Sequence, residues 1–318
     1  FIVRSPVLTE TRMSPSLSID SPPKTPESSP DNYIMVSIAE EMNPGRRNTM
    51  EDAHRYVRAL GDDPCTSFFA IYDGHGGRSI VDFLETRLEQ NLALELSISD
   101  GSDMNLKIER AFLITDIESK QCSILTSGST AVVCILRRNP VDKTSLLYVA
   151  NVGDSRAVLF NRGKVNRLTC DHKVTNELEK NRILESGGFL SDGKVLGILS
   201  VTRSFGDHGM KEFIPARPFI SSTHLDNSPG TFFILACDGV WDVIDDDEAC
   251  AIVRCSVENV EQSRHLNVGN LAKILISEAI RRGSSDNVTA IVVLLEPNWA
   301  FKSVMSDEHS DKCQASMH

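Results

Sequence analysis

Short apolar runs, rich in β-branched and aromatic residues and bounded by turn residues, recur at 35–38, 67–72, 130–136, 146–151, 157–161, 231–236 and 288–295. Runs of this length and composition predict strands. Apolar positions at helical spacing predict helices over 78–96, 106–121, 176–185, 246–255 and 267–282. Asn161-Arg162-Gly163 reads as a hairpin turn joining 155–160 to 164–168. Strand and helix do not alternate regularly. Pairs of helices interrupt groups of strands, which predicts an α+β fold of antiparallel sheets flanked by helices rather than a doubly wound parallel sheet.

Residues 1–31 break the pattern. Sixteen of them are Ser, Thr or Pro, and five Ser/Thr-Pro dipeptides begin at Ser5, Ser14, Ser21, Thr25 and Ser29. A segment so poor in apolar residues does not offset its ordering entropy, so a disordered head is expected there, either a solvated linker or a tail for proline-directed kinases. Residues 299–318 are polar and read as a loose tail. Between them, 32–298 has neither internal repeat nor long linker and reads as a single domain.

Composition sharpens this reading. Of the 318 residues, 41% are hydrophobic and 24% charged, as in an ordinary globular chain, and no stretch reaches the ~20 apolar residues of a membrane-spanning helix. Eight Cys in this length is no disulfide framework. Cys134 and Cys237 sit inside apolar runs, where a reduced thiol behaves as a small hydrophobe, so a reducing cytoplasmic or nuclear compartment is expected. The 33 basic and 44 acidic residues leave a net charge of −11, which argues against nucleic acid and anionic membranes as partners and leaves room for cations. No coiled-coil pattern calls for a second copy, so a monomer is expected. The chain opens on Phe1, as expected of a fragment or processed product, which puts any targeting or lipidation signal out of view.

The acids carry the chemistry. Asp73 follows the run Phe68-Phe69-Ala70-Ile71-Tyr72 and precedes Gly74-His75-Gly76-Gly77. Asp238 follows Phe232-Phe233-Ile234-Leu235-Ala236-Cys237 and precedes Gly239, and Asp286 stands just before the last strand. Each alone reads as a turn residue. Together, at the ends of strands that would pair centrally, they form a carboxylate cluster whose mutual repulsion calls for hard cations such as Mg²⁺ or Mn²⁺. No Cys/His cluster has zinc spacing. Gly74 and Gly239 would let backbone come close to a ligand. The acidic run Asp245-Asp246-Asp247-Glu248 reads instead as a helix cap.

These segments, with Arg46-Arg47-Asn48-Thr49-Met50-Glu51-Asp52 ahead of them, resemble the metal-dependent protein serine/threonine phosphatases of type 2C. The resemblance continues in order through Ser127-Gly128-Ser129-Thr130-Ala131, Ala150-Asn151-Val152-Gly153-Asp154-Ser155-Arg156-Ala157 and Asp171-His172-Lys173. It ends with Ser200-Val201-Thr202-Arg203-Ser204-Phe205-Gly206-Asp207, the Asp238 segment through Asp242, and Ser285-Asp286-Asn287-Val288-Thr289, so that it covers roughly 33–296.

The resemblance implies a four-layer αββα sandwich with a dinuclear metal site at one edge of its two antiparallel sheets. It implies two Mn²⁺ or Mg²⁺ ions sharing a hydroxide that attacks phosphorus directly, with phosphorylated proteins as substrates. Asp73 matches the bridging carboxylate, Gly74 a carbonyl ligand, and Asp238 and Asp286 the carboxylates completing the other shell. Glu51 and Asp52 match acids that hold metal-bound waters. Arg47 matches the phosphate-gripping arginine, a choice over Arg46 that the residues alone leave open. His75 matches the general acid, with Glu51 as its expected orienting partner. Asp154 and Asp242 match acids of a weaker third ion site, although Asp154 also suits a hairpin turn. Arg203, Ser204, Gly206 and Asp207 read as fold-stabilising, and 171–196 as a variable flap beside the cleft. With every role filled, a silent scaffold is the lesser expectation, as is a hydrolase of small phosphorylated metabolites.

Overall fold

The structure is a computed structural model that describes residues 34–295 except 143, 226, 227, 229 and 264–269. The head at 1–31 and the tail at 299–318 lie outside the described residues. In chain order the elements are β1 (Ile34–Glu41), β2 (Asp52–Val57), β3 (Thr66–His75), α1 (Ser79–Ser97), α2 (Met104–Gln121), β4 (Gly128–Arg138) and β5 (Ser145–Val152). They continue with β6 (Arg156–Asn161), β7 (Lys164–Arg167), α3 (Glu177–Glu185), β8 (Leu190–Ser191), β9 (Lys194–Val195), β10 (Phe205–Gly206) and β11 (Phe219–Leu225). The last are β12 (Phe232–Ala236), α4 (Asp238–Trp241), α5 (Asp246–Ser263), α6 (Leu271–Arg281) and β13 (Val288–Leu295).

Two antiparallel sheets form the centre. One runs β1-β13-β12-β6-β7; the other runs β11-β5-β4-β3-β2, with the short β10 added to β4. The alternation of side chains along a strand explains why the runs are apolar throughout. On β3, Phe69 and Ile71 face the other sheet, in a core shared with Phe233, Leu235, Ile291 and Val293. Phe68, Ala70 and Tyr72 face the other way, against Leu84 and Leu88 of α1 and Phe112 of α2. Ile234 and Val292 likewise back onto Val253 of α5 and Leu275 of α6. Three successive apolar layers therefore stack helices, sheet, sheet and helices, the αββα sandwich expected. Phe69 and Phe233 meet edge to face across the sheets at 5.5 Å between ring centroids, and truncating such a side chain to Ala costs about 3–5 kcal/mol.

The last strand matches its expected bounds, and the 161–163 turn is a hairpin with Arg162 (φ 51°) and Gly163 (φ 73°) both left-handed. Asp245 and Glu248 cap α5 reciprocally: Glu248 N–H donates to Asp245 Oδ1 (2.8 Å) and Asp245 N–H to Glu248 Oε2 (3.3 Å). Cys134 and Cys237 are fully buried, and the described cysteines are free thiols. No described helix is long and apolar enough to cross a membrane. Besides the two-residue strands β8, β9 and β10, two strands escaped the sequence pattern, β2 and β11. They are the two edges of one sheet, where half-exposed positions carry polar residues and the apolar run is lost.

Candidate active site

The carboxylates converge where strand ends of the two sheets meet. β3 delivers Asp73 near its C-terminus, directly opposite Asp52 at the start of β2. β12 ends at Ala236, so that Cys237 leads into Asp238 as the first residue of α4, and β13 begins two residues after Asp286. One hydrogen bond ties the sheets together here: Thr289 Oγ1, on β13, donates to Asp52 Oδ2 at 2.7 Å. Ligand-type atoms of Asp52, Asp73 and Cys237 all lie within 4.8 Å of one another.

Close backbone contacts make this convergence possible. A Cβ on Gly74 would stand 2.6 Å from the carbonyl oxygen of Glu51, and one on Gly239 only 2.0 Å from that of Asn287, so both positions demand glycine. Gly74 N–H donates to Glu51 O at 3.2 Å. Asn287 is an organiser that no local sequence signal marks. Its Nδ2 donates to Met42 O (2.8 Å) and Thr49 O (2.9 Å), and its Oδ1 accepts from Glu51 N (2.8 Å), fastening the 42–51 loop against the start of β13.

The electrostatics are those of acids short of cations. Burial first, and then the charges of Asp238, Asp52, Asp154 and Asp286, push Asp73 well above the carboxylate range. Asp238 is pushed up to about 7 by burial and by Asp154, Asp242 and Asp286, with Lys173 opposing. Burial raises Asp52 to about 6 against the hydrogen bond from Thr289. Such a donor set, all oxygen apart from the neighbouring thiol of Cys237, suits a hard divalent ion, whose charge would remove the repulsion. The residues present therefore fit Mg²⁺ or Mn²⁺.

Asp154 and Asp242 enclose a cation of the protein's own. Lys173 Nζ lies 3.0 Å from Asp154 Oδ2 and 3.4 Å from Asp242 Oδ1. Asp154 is buried and Asp242 exposed, and an ion sought by this pair would meet the ammonium first. The stretch just after β7 supplies the lysine, a role that its place in the sequence did not reveal.

Arg47 lies half exposed against Asp286, its NH2 on Asp286 Oδ2 and its Nε donating to Ser285 O (3.3 Å). Arg46 makes no comparable side-chain contact among the described residues. The expected pairing of His75 with Glu51 is not the one the structure makes. Glu51 spends its carboxylate on Gly77 N–H (3.3 Å) and the Thr49 hydroxyl (3.2 Å). The partner of His75 is Asp207: Nε2 and Oδ2 are 2.8 Å apart. Asp207 reaches it because β10 pairs with β4 and carries the 204–207 loop to the end of β3, a contact 132 residues apart in sequence.

Comparison with known proteins agrees with this architecture. The family model described as protein phosphatase 2C matches residues 37–288. The chain is 38% identical over 285 residues to "Protein phosphatase 2C homolog 1" of Saccharomyces cerevisiae, covering 85% of this chain and 96% of that one. It is 34% identical over 267 residues to the protein of the same name in Schizosaccharomyces pombe, covering 83% and 74%. A crystal structure of a phosphatase from Toxoplasma gondii shares the fold with a TM-score of 0.69 at 22% identity, over 83% of this chain and 93% of that one. With its sheets, its clustered acids and most of its length matched, the chain belongs to the protein phosphatase 2C family of metal-dependent serine/threonine phosphatases.

Proposed function

We propose that this chain hydrolyses phosphoserine and phosphothreonine esters of proteins at the carboxylate cluster, with two Mn²⁺ or Mg²⁺ ions held by Asp73, Gly74, Asp238 and Asp286. The observation that carries the reading is the convergence of acids from strand ends of both sheets, with Asp73 opposite Asp52 and their ligand atoms within 4.8 Å of each other and of Cys237. The shared upward pressure on Asp73 and Asp238 accords with it. Divalent ions bound there would supply charge neutralisation and an acidified water as nucleophile. Everything else falls to side chains. Asp52, deep beside Asp73, and Glu51 at the loop would hold water around the ions. Arg47, at the mouth of the cluster, presents a planar fork that suits the oxygens of a phosphate dianion. As water oxygen bonds to phosphorus, the ester P–O bond breaks and its electron pair goes to the departing Ser or Thr oxygen. An alkoxide leaves poorly, so a proton from His75 to that oxygen is worth about 10²–10⁴ in rate. Asp154 and Asp242 would take a third, weaker ion only where it displaces Lys173.

The test is phosphate release from a phosphothreonine peptide with Mn²⁺ or Mg²⁺ added and then chelated, beside a panel of small phosphate esters. Turnover that needs the ion and favours the peptide is expected. Turnover in excess chelator, or preference for a small metabolite, would refute the reading.

A further inference from the structure

We infer that Asp207 is a positioning residue for His75, fixing which imidazole nitrogen faces the leaving group; this rests on the reading of His75 as the acid. The pair is built into the fold rather than met by chance on a surface. Asp207 is 6% exposed, and its Oδ2 accepts from both His75 Nε2 and the hydroxyl of Ser204. Its backbone is left-handed (φ 47°, ψ 39°), a conformation that residues other than Gly seldom hold without a reason.

The loop that carries it is anchored on every side. Asp207 N–H donates to Ser127 O (3.1 Å). Gly206 N–H donates to Asp116 Oδ1 (2.9 Å), and Lys211 Nζ reaches both Asp116 Oδ1 and Ser204 O at 2.9 Å. His208 Nε2 and Ser119 Oγ are 2.9 Å apart. The last observation comes from β4, which the pair must cross. A Cβ on Gly128 would lie 2.1 Å from Asp207 Oδ2 and 2.3 Å from His75 Nε2, so glycine at 128 is what leaves room for the contact. Three separate segments, 73–77, 127–129 and 204–207, thus meet at one hydrogen bond.

The chemical consequence is a choice of nitrogen. A carboxylate accepts only, so Asp207 takes Nε2–H and holds the ring in that tautomer and orientation. Nδ1 makes no hydrogen bond among the described residues, and it is the nitrogen left to carry the transferable proton. When the doubly protonated ring passes its Nδ1 proton to the ester oxygen it becomes the neutral Nε2–H imidazole, so its positive charge is given up while the hydrogen bond to Asp207 survives the step.

The experiment compares the wild type, His75→Ala, Asp207→Asn and the double variant at saturating Mn²⁺, on a phosphothreonine peptide and on p-nitrophenyl phosphate, whose leaving group needs no proton. His75→Ala is expected to lower kcat on the peptide about 100-fold and far less on the aryl ester. Asp207→Asn should lower peptide kcat about 10-fold with KM unmoved and the aryl ester much less affected. The double variant should be no slower than His75→Ala, because the two residues act as one unit. In the neutral, proton-donated state of the ring, imidazole ¹⁵N shifts should report a single Nε2–H tautomer in the wild type and a mixture in Asp207→Asn.

Equal losses on both substrates in Asp207→Asn, or full additivity in the double variant, would assign Asp207 to the fold alone. If His75→Ala shows the split and Asp207→Asn does not, the acid reading stands and this inference falls. If His75→Ala loses both substrates equally, both fall. Should Asp207→Asn fail to fold, Ser204→Ala, which removes one hydroxyl from Oδ2, must show the same split at smaller size or the inference is overturned.

Discussion

Two groups of buried acids in this molecule have opposite fates. Glu179 of α3 is buried, and burial pushes its carboxyl up, yet Arg203 and Arg182 outweigh that and hold it at about 2. Its Oε2 accepts from Arg182 NH2 (2.8 Å), Arg203 Nε (3.0 Å) and the Thr202 hydroxyl (3.0 Å). Asp238 has Lys173 at a distance and three acids near at hand, and it is driven to about 7. Both are carboxylates that burial pushes up. What differs is whether the fold supplies the cation. An acid with its arginines beside it is a strut; acids left short of positive charge describe the ligand they await.

The sharpest way to break the contrast is to remove one acid from each group. Asp238→Asn should lower ion-dependent phosphate release about 10³-fold or more, while the melting temperature in chelator holds or rises, because a repelling charge is gone. A fall in both would place Asp238 among the struts. Glu179→Ala should do the reverse. It strands Arg182 and Arg203, which are only partly exposed, and is expected to cost about 3 kcal/mol of stability, read by denaturant titration, with activity per folded molecule largely kept.

The smallest effect is in pH. Asp52 and Asp238 hold protons more tightly folded than unfolded, at about 6 and about 7 against 3.8. Between pH 4 and 7 the ion-free folded state therefore binds more protons than the unfolded chain, and these groups contribute less stability as pH rises. Ions compete with those same protons, so the melting-temperature gain on adding Mn²⁺ should grow between pH 5.5 and 7.5, by about 2 °C or more. His172, buried and lowered to about 4, acts in the opposite sense: its contribution is lost as pH falls from 6.5 toward 4. Taking the difference with and without Mn²⁺ cancels it. A gain that shrinks with rising pH would separate the acids from the ion site.

How much of this could be read in advance follows from range. All eight residues of β13 are buried between β1 and β12, so the local run alone gave its bounds. Asp73, Asp238 and Asp286 stood out because each closes or opens such a run. β2 and β11 did not, since an edge strand alternates polar residues and looks like loop. Asp207, Asn287 and Lys173 acquire their roles only by tertiary convergence, at separations of 132 residues for Asp207 on His75, 245 for Asn287 on Met42 and 69 for Lys173 on Asp242. Nothing local to Asp207 announces that Gly128 makes way for it.

The pairing of β1 with β13 carries a different kind of consequence. Ile34 is opposite Leu295 and Glu41 opposite Val288, so the described residues begin and end at adjacent points of one ladder, at its end away from the carboxylates. Neighbouring strands are only about 5 Å apart. A short peptide could splice 34 to 295, and the ring so formed could be reopened at the exposed 161–163 hairpin, giving a circular permutant with the same sheets and the same cluster. By the same geometry the described unit, with its first and last residues side by side, suits insertion whole into a surface loop of another protein.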